Sequence, residues 1–403
     1  MPRCVSSFLA KSSKCTTNKG EYKMNIFHNT RLAEANQAIS PGNDPWDPIQ
    51  SLRVYGKHKL TSVEMTVTNL CNMRCEHCAV GDSLVLKEPE HIPLPLMLEA
   101  LEQVGHLQTI SITGGEPTFR RKTVEEIIVP LLKYAKSRGI RSQINSNLTL
   151  DYERYELLLP YLDVMHISFN YTSERDFHEV GFARNPHPVS EEVAYKMYNK
   201  MIDNTRKLSE AGMFISAESM INYRTHRKLP EIHRLIVEMG CRRHEVHPMY
   251  AADFAENLPV LGLDDIRRAI HDLLDSRDPE LWMLFGTLPF FACNNDSADG
   301  ELLARLRREP NVTVRNDPDG RSRVNVNMFT GDVFVTDFAA IPSFGNIKER
   351  RLDDIFADWL DTHPLNQRVN CYCEAAGCCG PNLLVADMYY NQVDFKIRKA
   401  INL

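Results

Sequence analysis

From residue 63 onward, short β-rich runs alternate with longer stretches whose apolar residues recur at helical spacing. VEMTVTN (63–69) reads as a strand, and PLMLEALEQVG (95–105) as the helix after it. LQTISITGG (107–115) predicts a strand that ends in two glycines, and VEEIIVPLLKYAKSRG (124–139) a helix closed by Gly139. The same pairing repeats four more times. RSQINSN (141–147), VMHISFNY (164–171), FISAESMINY (214–223) and RRHEVHPMY (242–250) are the strands. The matching helices are 152–162, one long helix reaching about Gly212, 230–240 and 264–276. Six successive βα units predict an α/β fold with parallel strands and crossover helices, either an open doubly wound sheet or a β/α barrel. In both, ligands gather beyond the C-terminal ends of the strands.

Beyond about residue 280 this rhythm breaks. The stretch NVTVRNDPDGRSRVNVNMFTGDVFVTDF reads as strands joined by Asp-Gly and Thr-Gly-Asp turns, and LDDIFADWL (352–360) as a helix. The reading is therefore a tail over 1–43, a βα domain over 44–280 and a smaller α+β C-terminal domain over 281–403. The first 23 residues are basic, Ser-rich and almost free of acid, without the apolar centre of a secretory signal. They read as a disordered tail, with an upstream start before Met24 or a weak targeting leader as the other reading.

Composition changes this picture little. The chain has 403 residues, 43% apolar and 25% charged, which is ordinary globular material. A formal net charge of −6 gives no bulk electrostatic reason to bind nucleic acid. No apolar run is long enough to span a membrane. The basic stretches RRHEVH (242–247), HRKLPEIHR (226–234) and LRRE (306–309) read as solvated faces.

The cysteines change it more. Of eleven, three fall in TVTNLCNMRCEHCAVGD as C-x3-C-x2-C, at Cys71, Cys75 and Cys78, and four in RVNCYCEAAGCCGPN, at Cys371, Cys373, Cys378 and Cys379. Tight clusters in a large chain read as metal ligands in a reducing, cytoplasmic compartment, not as a disulfide framework. Cys241 reads as a buried thiol, and Cys4 and Cys15 carry no role. The first cluster stops at three thiols. Zinc would need a fourth ligand, for which His77 and His91 are nearest in sequence; an iron–sulfur cubane on three thiolates would keep one iron open. One βα unit later, TGGEP (113–117) sets Gly114 and Gly115 where a ligand can approach backbone, with the Glu116 carboxylate next to them.

CxxxCxxC after the first strand with GGEP after the second resembles the radical S-adenosylmethionine (SAM) superfamily. That resemblance implies a partial (β/α)6 barrel and a [4Fe-4S] cluster held by Cys71, Cys75 and Cys78, with SAM on the open iron. Reductive cleavage of SAM would give methionine and a 5′-deoxyadenosyl radical that abstracts hydrogen from a substrate. Gly114, Gly115 and Glu116 would bind the SAM amino group. NSNLT (145–149), with Ser146 and Asn147, resembles the family's segment after the third strand, and ISFN (167–170), with Ser168 and Asn170, its segment after the fourth. Asn222, closing the fifth, would reach ribose hydroxyls. His77 departs from the family, whose residue before the last cysteine is usually aromatic.

The C-terminal order of Gly-Asp hairpin, Gly-Asn-Ile turn, Leu-Asp-Asp-Ile-Phe helix and clustered cysteines resembles the SPASM-type auxiliary-cluster domain. It departs in having Val335, Thr336 and Asp337 where a cysteine would follow the hairpin. The C-x-C-x4-C spacing is more similar to the radical SAM/CxCxxxxC-motif (YfkAB-like) group. The resemblance implies a second [4Fe-4S] cluster on Cys371, Cys373 and Cys378, with Cys293 as first candidate for a fourth ligand and Cys379 as second. Its alternatives are a zinc knuckle or unligated thiols. The leading expectation is a radical SAM oxidoreductase or modifying enzyme, acting on a peptide or protein side chain and reduced by a flavodoxin or ferredoxin. Action on a small metabolite or RNA, a zinc-stapled binding protein and a pure electron carrier are the competing readings.

Overall fold

Period-two alternation decides which side of each strand meets the helices. We describe a computed structural model of the chain covering residues 38–294, 296–336, 341–369, 371–373 and 376–395. Most of the tail, with Cys4 and Cys15, and Asp337 lie outside the described residues. In β1 (Ser62–Thr68), Val63, Met65 and Val67 are fully buried and enter one apolar cluster. Ile110 and Ile112 of β2 (Thr109–Gly114), Ile144 of β3 (Arg141–Ser146) and Met165 and Ile167 of β4 (Val164–Ser168) join it. Helix residues such as Met97, Leu101, Leu131 and Leu132 complete the layer. Each such side chain contributes about 1.5–3 kcal/mol of transfer free energy, so a slip by one residue in any strand is costly.

The intervening residues face the other way and are polar: Glu64, Ser111, Gln143, His166, Glu218 and Glu245. Glu218 lies in β5 (Phe214–Ile221) and Glu245 in β6 (Arg243–Pro248). The concave face of the sheet is thus a hydrogen-bonding surface and not a second oily core. The segment before β1 lies against this face: Trp46 Nε1 donates to Ser111 Oγ at 3.1 Å, and Asp44 accepts from Arg315 at 2.8 Å.

Strand existence and order follow the sequence expectation through β6. The series then continues where the pattern had suggested a break at 280. β7 (Trp282–Gly286) pairs in parallel with β6, and β8 (Val312–Arg315) with β7, with the helix Ser297–Arg308 between them. WMLFG is buried throughout, so it lacks the alternation that marks the earlier strands. β9 (Arg323–Asn327) returns to the far edge beside β1 in parallel, and β10 (Asp332–Phe334) and β11 (Gly345–Asn346) follow antiparallel. The single sheet has the order β11-β10-β9-β1-β2-β3-β4-β5-β6-β7-β8 and stays open between β8 and β11, as a partial barrel does. The long helix expected before Gly212 is two, Glu174–Gly181 and Glu191–Glu210. Pro186 and Pro188 interrupt it, and Ser173 and Ser190 cap the two N-termini. Among the described residues no helix is long and apolar enough to cross a membrane.

Candidate functional site

The loop carrying Cys71, Cys75 and Cys78 leaves β1 and is held by the ends of four neighbouring strands. At β2, Gly115 N–H donates to Thr68 O at 2.8 Å and Glu116 N–H to Leu70 O at 2.7 Å. At β3, Asn147 donates to Asn72 at 2.9 Å, and Asn72 to Thr149 at 2.7 Å. After β4, Arg74 N–H and Glu76 N–H donate to Gly181 O and Val180 O, both at 3.0 Å. After β5, Arg224 pairs with both oxygens of Glu76, at 2.5 and 3.0 Å, and Tyr223 Oη donates at 2.9 Å.

Met73 N–H donates to Cys71 Sγ at 3.4 Å. The Tyr171 hydroxyl and the Val80 backbone act on Cys75 and Cys78 in favour of their thiolate forms. Burial pushes the Cys71 thiol up to about 12 and raises Cys75 and Cys78 as well. Without a bound cation these three are thiols, and only a metal converts them to ligands. Among the described residues no three Cys, His, Asp or Glu side chains converge as ligands of one ion would. Three cysteines on one loop at the C-terminal end of β1 fit an iron–sulfur cluster. His91, one writable zinc ligand, instead bonds Val67 O at 2.7 Å and stacks on Phe329. His77 is buried, its Nδ1 has no partner, and burial lowers it to about 4.

The glycines have a steric reason to be there. A Cβ on Gly114 or Gly115 would collide with the carbonyl oxygens of Thr68 or Leu70. Beside them lies a cavity of about 230 Å³, lined by Thr66, Asn69, Thr113, Gly114, Gly115 and Phe334. Glu116 is fully buried, and its carboxylate turns into the protein. Oε1 accepts from Thr118 Oγ1 at 2.6 Å and Ser146 Oγ at 2.9 Å, and Oε2 from Asn147 N–H at 2.7 Å. Burial raises its pKa and these bonds partly offset it. The expected outcome of Glu116→Ala is therefore loss of stability even in metal-free protein, on the order of 3 kcal/mol, because several buried donors lose their acceptor. Unfolding in urea after chelation measures it, and an unchanged midpoint would assign Glu116 to ligand binding alone.

The other polar candidates divide. Ser146 and Asn147 serve Glu116, and the next residue, Leu148, is fully buried at φ 52°, a left-handed conformation unusual for leucine. Asn170 Oδ1 accepts Met220 N–H at 2.7 Å. Asn222 Oδ1 caps its own turn, accepting from Arg224 N–H at 2.8 Å and Thr225 N–H at 3.0 Å. Ser168 remains exposed at the end of β4. Asn72 and Tyr171, both against the thiol loop, were not singled out from sequence; Tyr171 closes the VMHISFNY strand run and was the more accessible of the two.

The C-terminal cysteines form a second group. Cys293, Cys371, Cys373 and Cys378 line one small cavity of about 40 Å³. Cys373 and Cys378 face each other across a tight turn, with N–H···O bonds of 2.7 and 3.0 Å, and Gly380 N–H donates to Cys378 Sγ at 3.3 Å. Burial raises Cys371 to about 11 and Cys378 to about 12. Cys379 is buried elsewhere, packed with Ile49 and Leu52.

Comparison with known proteins agrees with this arrangement. Residues 65–236 match the family model of the radical SAM superfamily, and residues 249–400 that of the YfkB-like domain. "Putative protein YfkA" of Bacillus subtilis is 52% identical over 92% of this chain and 99% of its own. Fe-coproporphyrin III synthase of Methanosarcina barkeri is 24% identical over 81% of both chains. The crystal structure of Streptococcus suis SuiB bound to precursor peptide SuiA superposes with a TM-score of 0.54, over 93% of this chain and 77% of that one, at 14% identity. At that identity the likeness is one of fold.

Proposed function

The chain belongs to the radical SAM superfamily, carries a YfkB-like C-terminal domain and is a close homologue of Bacillus subtilis YfkA, and from that premise we propose that it modifies a peptide or protein side chain by SAM-dependent hydrogen abstraction. A [4Fe-4S] cluster with SAM bound supplies one-electron cleavage of the sulfonium and a carbon radical that takes hydrogen from the substrate. Cys71, Cys75 and Cys78 would hold the cluster; the Met73 N–H would orient the Cys71 sulfur, and Tyr171 and Val80 favour the thiolate forms of Cys75 and Cys78. Gly114 and Gly115 keep the loop close to β2 and leave backbone exposed to the cavity where the SAM amino group belongs. The segments after β2, β3, β4 and β5 hold the loop that carries the thiols, which are half-buried.

The observation that carries this reading is a three-cysteine loop held by the ends of the neighbouring strands, with the Gly114–Gly115 pair between it and a cavity of about 230 Å³. The peptide substrate is supported by fold likeness to SuiB with its precursor peptide. A small metabolite is the second reading, favoured by the likeness to Fe-coproporphyrin III synthase. We assign a second [4Fe-4S] cluster to Cys293, Cys371, Cys373 and Cys378, supported by their lining one cavity. A flavodoxin or ferredoxin would supply the electrons.

The test is iron, sulfide and zinc content after anaerobic reconstitution, with 5′-deoxyadenosine assayed after adding SAM and reductant. About eight irons per chain are expected, falling to about four in Cys373→Ala with SAM binding retained. Zinc with no 5′-deoxyadenosine would overturn the enzyme reading. Full iron in Cys373→Ala would overturn the second cluster.

A further inference from the structure

Three adjacent strands place a carboxylate between two imidazoles on the concave face. His166 of β4 bonds Glu218 Oε2 through Nε2 at 2.8 Å, and His247 of β6 bonds Glu218 Oε1 through its own Nε2. His166 and His247 are both more than nine-tenths buried, while Glu218 leaves 29% of its side chain open to the barrel interior. Ser168 sits opposite Glu218 in the β4–β5 register. The site adjoins the thiol loop: the charges of Glu218 and His247 both act on His77.

Counting donors and acceptors shows what this surface lacks. His247 Nδ1 faces Pro248 O at 2.7 Å and its Nε2 faces a carboxylate, so both nitrogens meet acceptors and both carry hydrogen. Burial acts to lower His247 and raise Glu218, but their mutual attraction outweighs it and fixes the charged pair. His166 spends its Nε2–H on Glu218, and its buried Nδ1 has no partner. The ring N–H groups of both histidines that face Glu218 are therefore used. What remains is accepting capacity on the open carboxylate, one lone pair on each Glu218 oxygen. A carboxylate whose neighbouring imidazoles have already spent their N–H groups on it selects a ligand group rich in N–H.

We propose that Glu218, positioned by His166 and His247, is a polar recognition point for the substrate on the concave face of the sheet, and that the group it takes is an amine in its ammonium form. The proposal rests on the radical SAM reading only for calling the ligand a substrate. In the peptide reading this group is a lysine side chain or an N-terminus. A carboxylate would meet the like charge of Glu218 and would be refused.

The probe is n-butylammonium against butyrate, each at millimolar concentration, with reconstituted holoenzyme holding SAM. Saturation-transfer NMR reads the bound fraction. We expect a clear n-butylammonium signal, at least threefold weaker in Glu218→Gln, and no butyrate signal beyond that of the variant. Iron content shows whether the variant has folded. If it has not, Glu218→Asp carries the test: it withdraws the charge by one carbon and should give an intermediate signal. An n-butylammonium signal equal in wild type and variant would overturn the proposal. So would equal signals from the two probes, or a signal present only without SAM, which would make the site SAM's own. Failure of the radical SAM reading shows separately, as zinc in place of iron and no 5′-deoxyadenosine.

Discussion

Cys75→Ala is expected to abolish SAM cleavage, lowering 5′-deoxyadenosine formation by at least ~1000-fold, a barrier increase of about 4 kcal/mol. Cys75 is the middle thiol of the three. It is packed against the main core cluster, and the neighbouring Tyr171 hydroxyl favours its thiolate form. Removing it leaves a cluster site with two ligands. Alanine here opens little space, so the backbone bonds of Arg74 and Glu76 to the helix Glu174–Gly181 should keep the fold. The check is iron content beside product formation. About four irons should remain, all in the second group, with the far-ultraviolet circular dichroism spectrum showing a folded chain. Product formation at the wild-type rate would remove Cys75 from the ligand set.

How much of this was readable beforehand depends on how local each signal is. The first six strands were legible because their alternation is strong, and the thiol loop because its spacing is confined to eight residues. β7 was not, since WMLFG is buried along its whole length and carries no period. The split of the long helix was present in the sequence as two prolines, but helical spacing on both sides outweighed them. The Gly-Gly pair was legible as a motif, yet its physical cause, two carbonyl oxygens pressed against it, belongs to the tertiary structure. Glu116 shows the opposite case. Its position suggested a group facing a ligand, whereas its oxygens are occupied by Thr118, Ser146 and Asn147. Cys293, ranked ahead of Cys379 in the sequence reading, lines one cavity with thiols more than seventy residues later, while Cys379 packs with Ile49 and Leu52. His166, Glu218 and His247 share no local pattern at all. Each lies on a different strand, and parallel register alone brings them together.

Gly115→Ala is the second large effect expected, and it separates the two thiol groups from the opposite side to Cys373→Ala. The added methyl would overlap the Leu70 carbonyl oxygen and approach the Leu70 carbonyl carbon to 2.7 Å and Cys71 Cβ to 3.1 Å. These are backbone atoms and the root of the first ligand, so no flexible side chain can turn aside. The loop must retreat, breaking the 2.7 Å bond from Glu116 N–H to Leu70 O and carrying Cys71 away from the other two sulfurs. A shift of that kind, about 1 Å at a site built to position reacting groups, costs on the order of 100-fold in rate. We expect 5′-deoxyadenosine formation to fall at least that far and roughly half the iron to be lost, now from the first group. Gly262→Ala is the control, because a methyl there meets nothing within 4 Å and the backbone is extended. If Gly115→Ala kept wild-type iron but lost SAM binding, the loop would have room to retreat, and the glycine would serve the approach of the ligand instead of the seat of the cysteine.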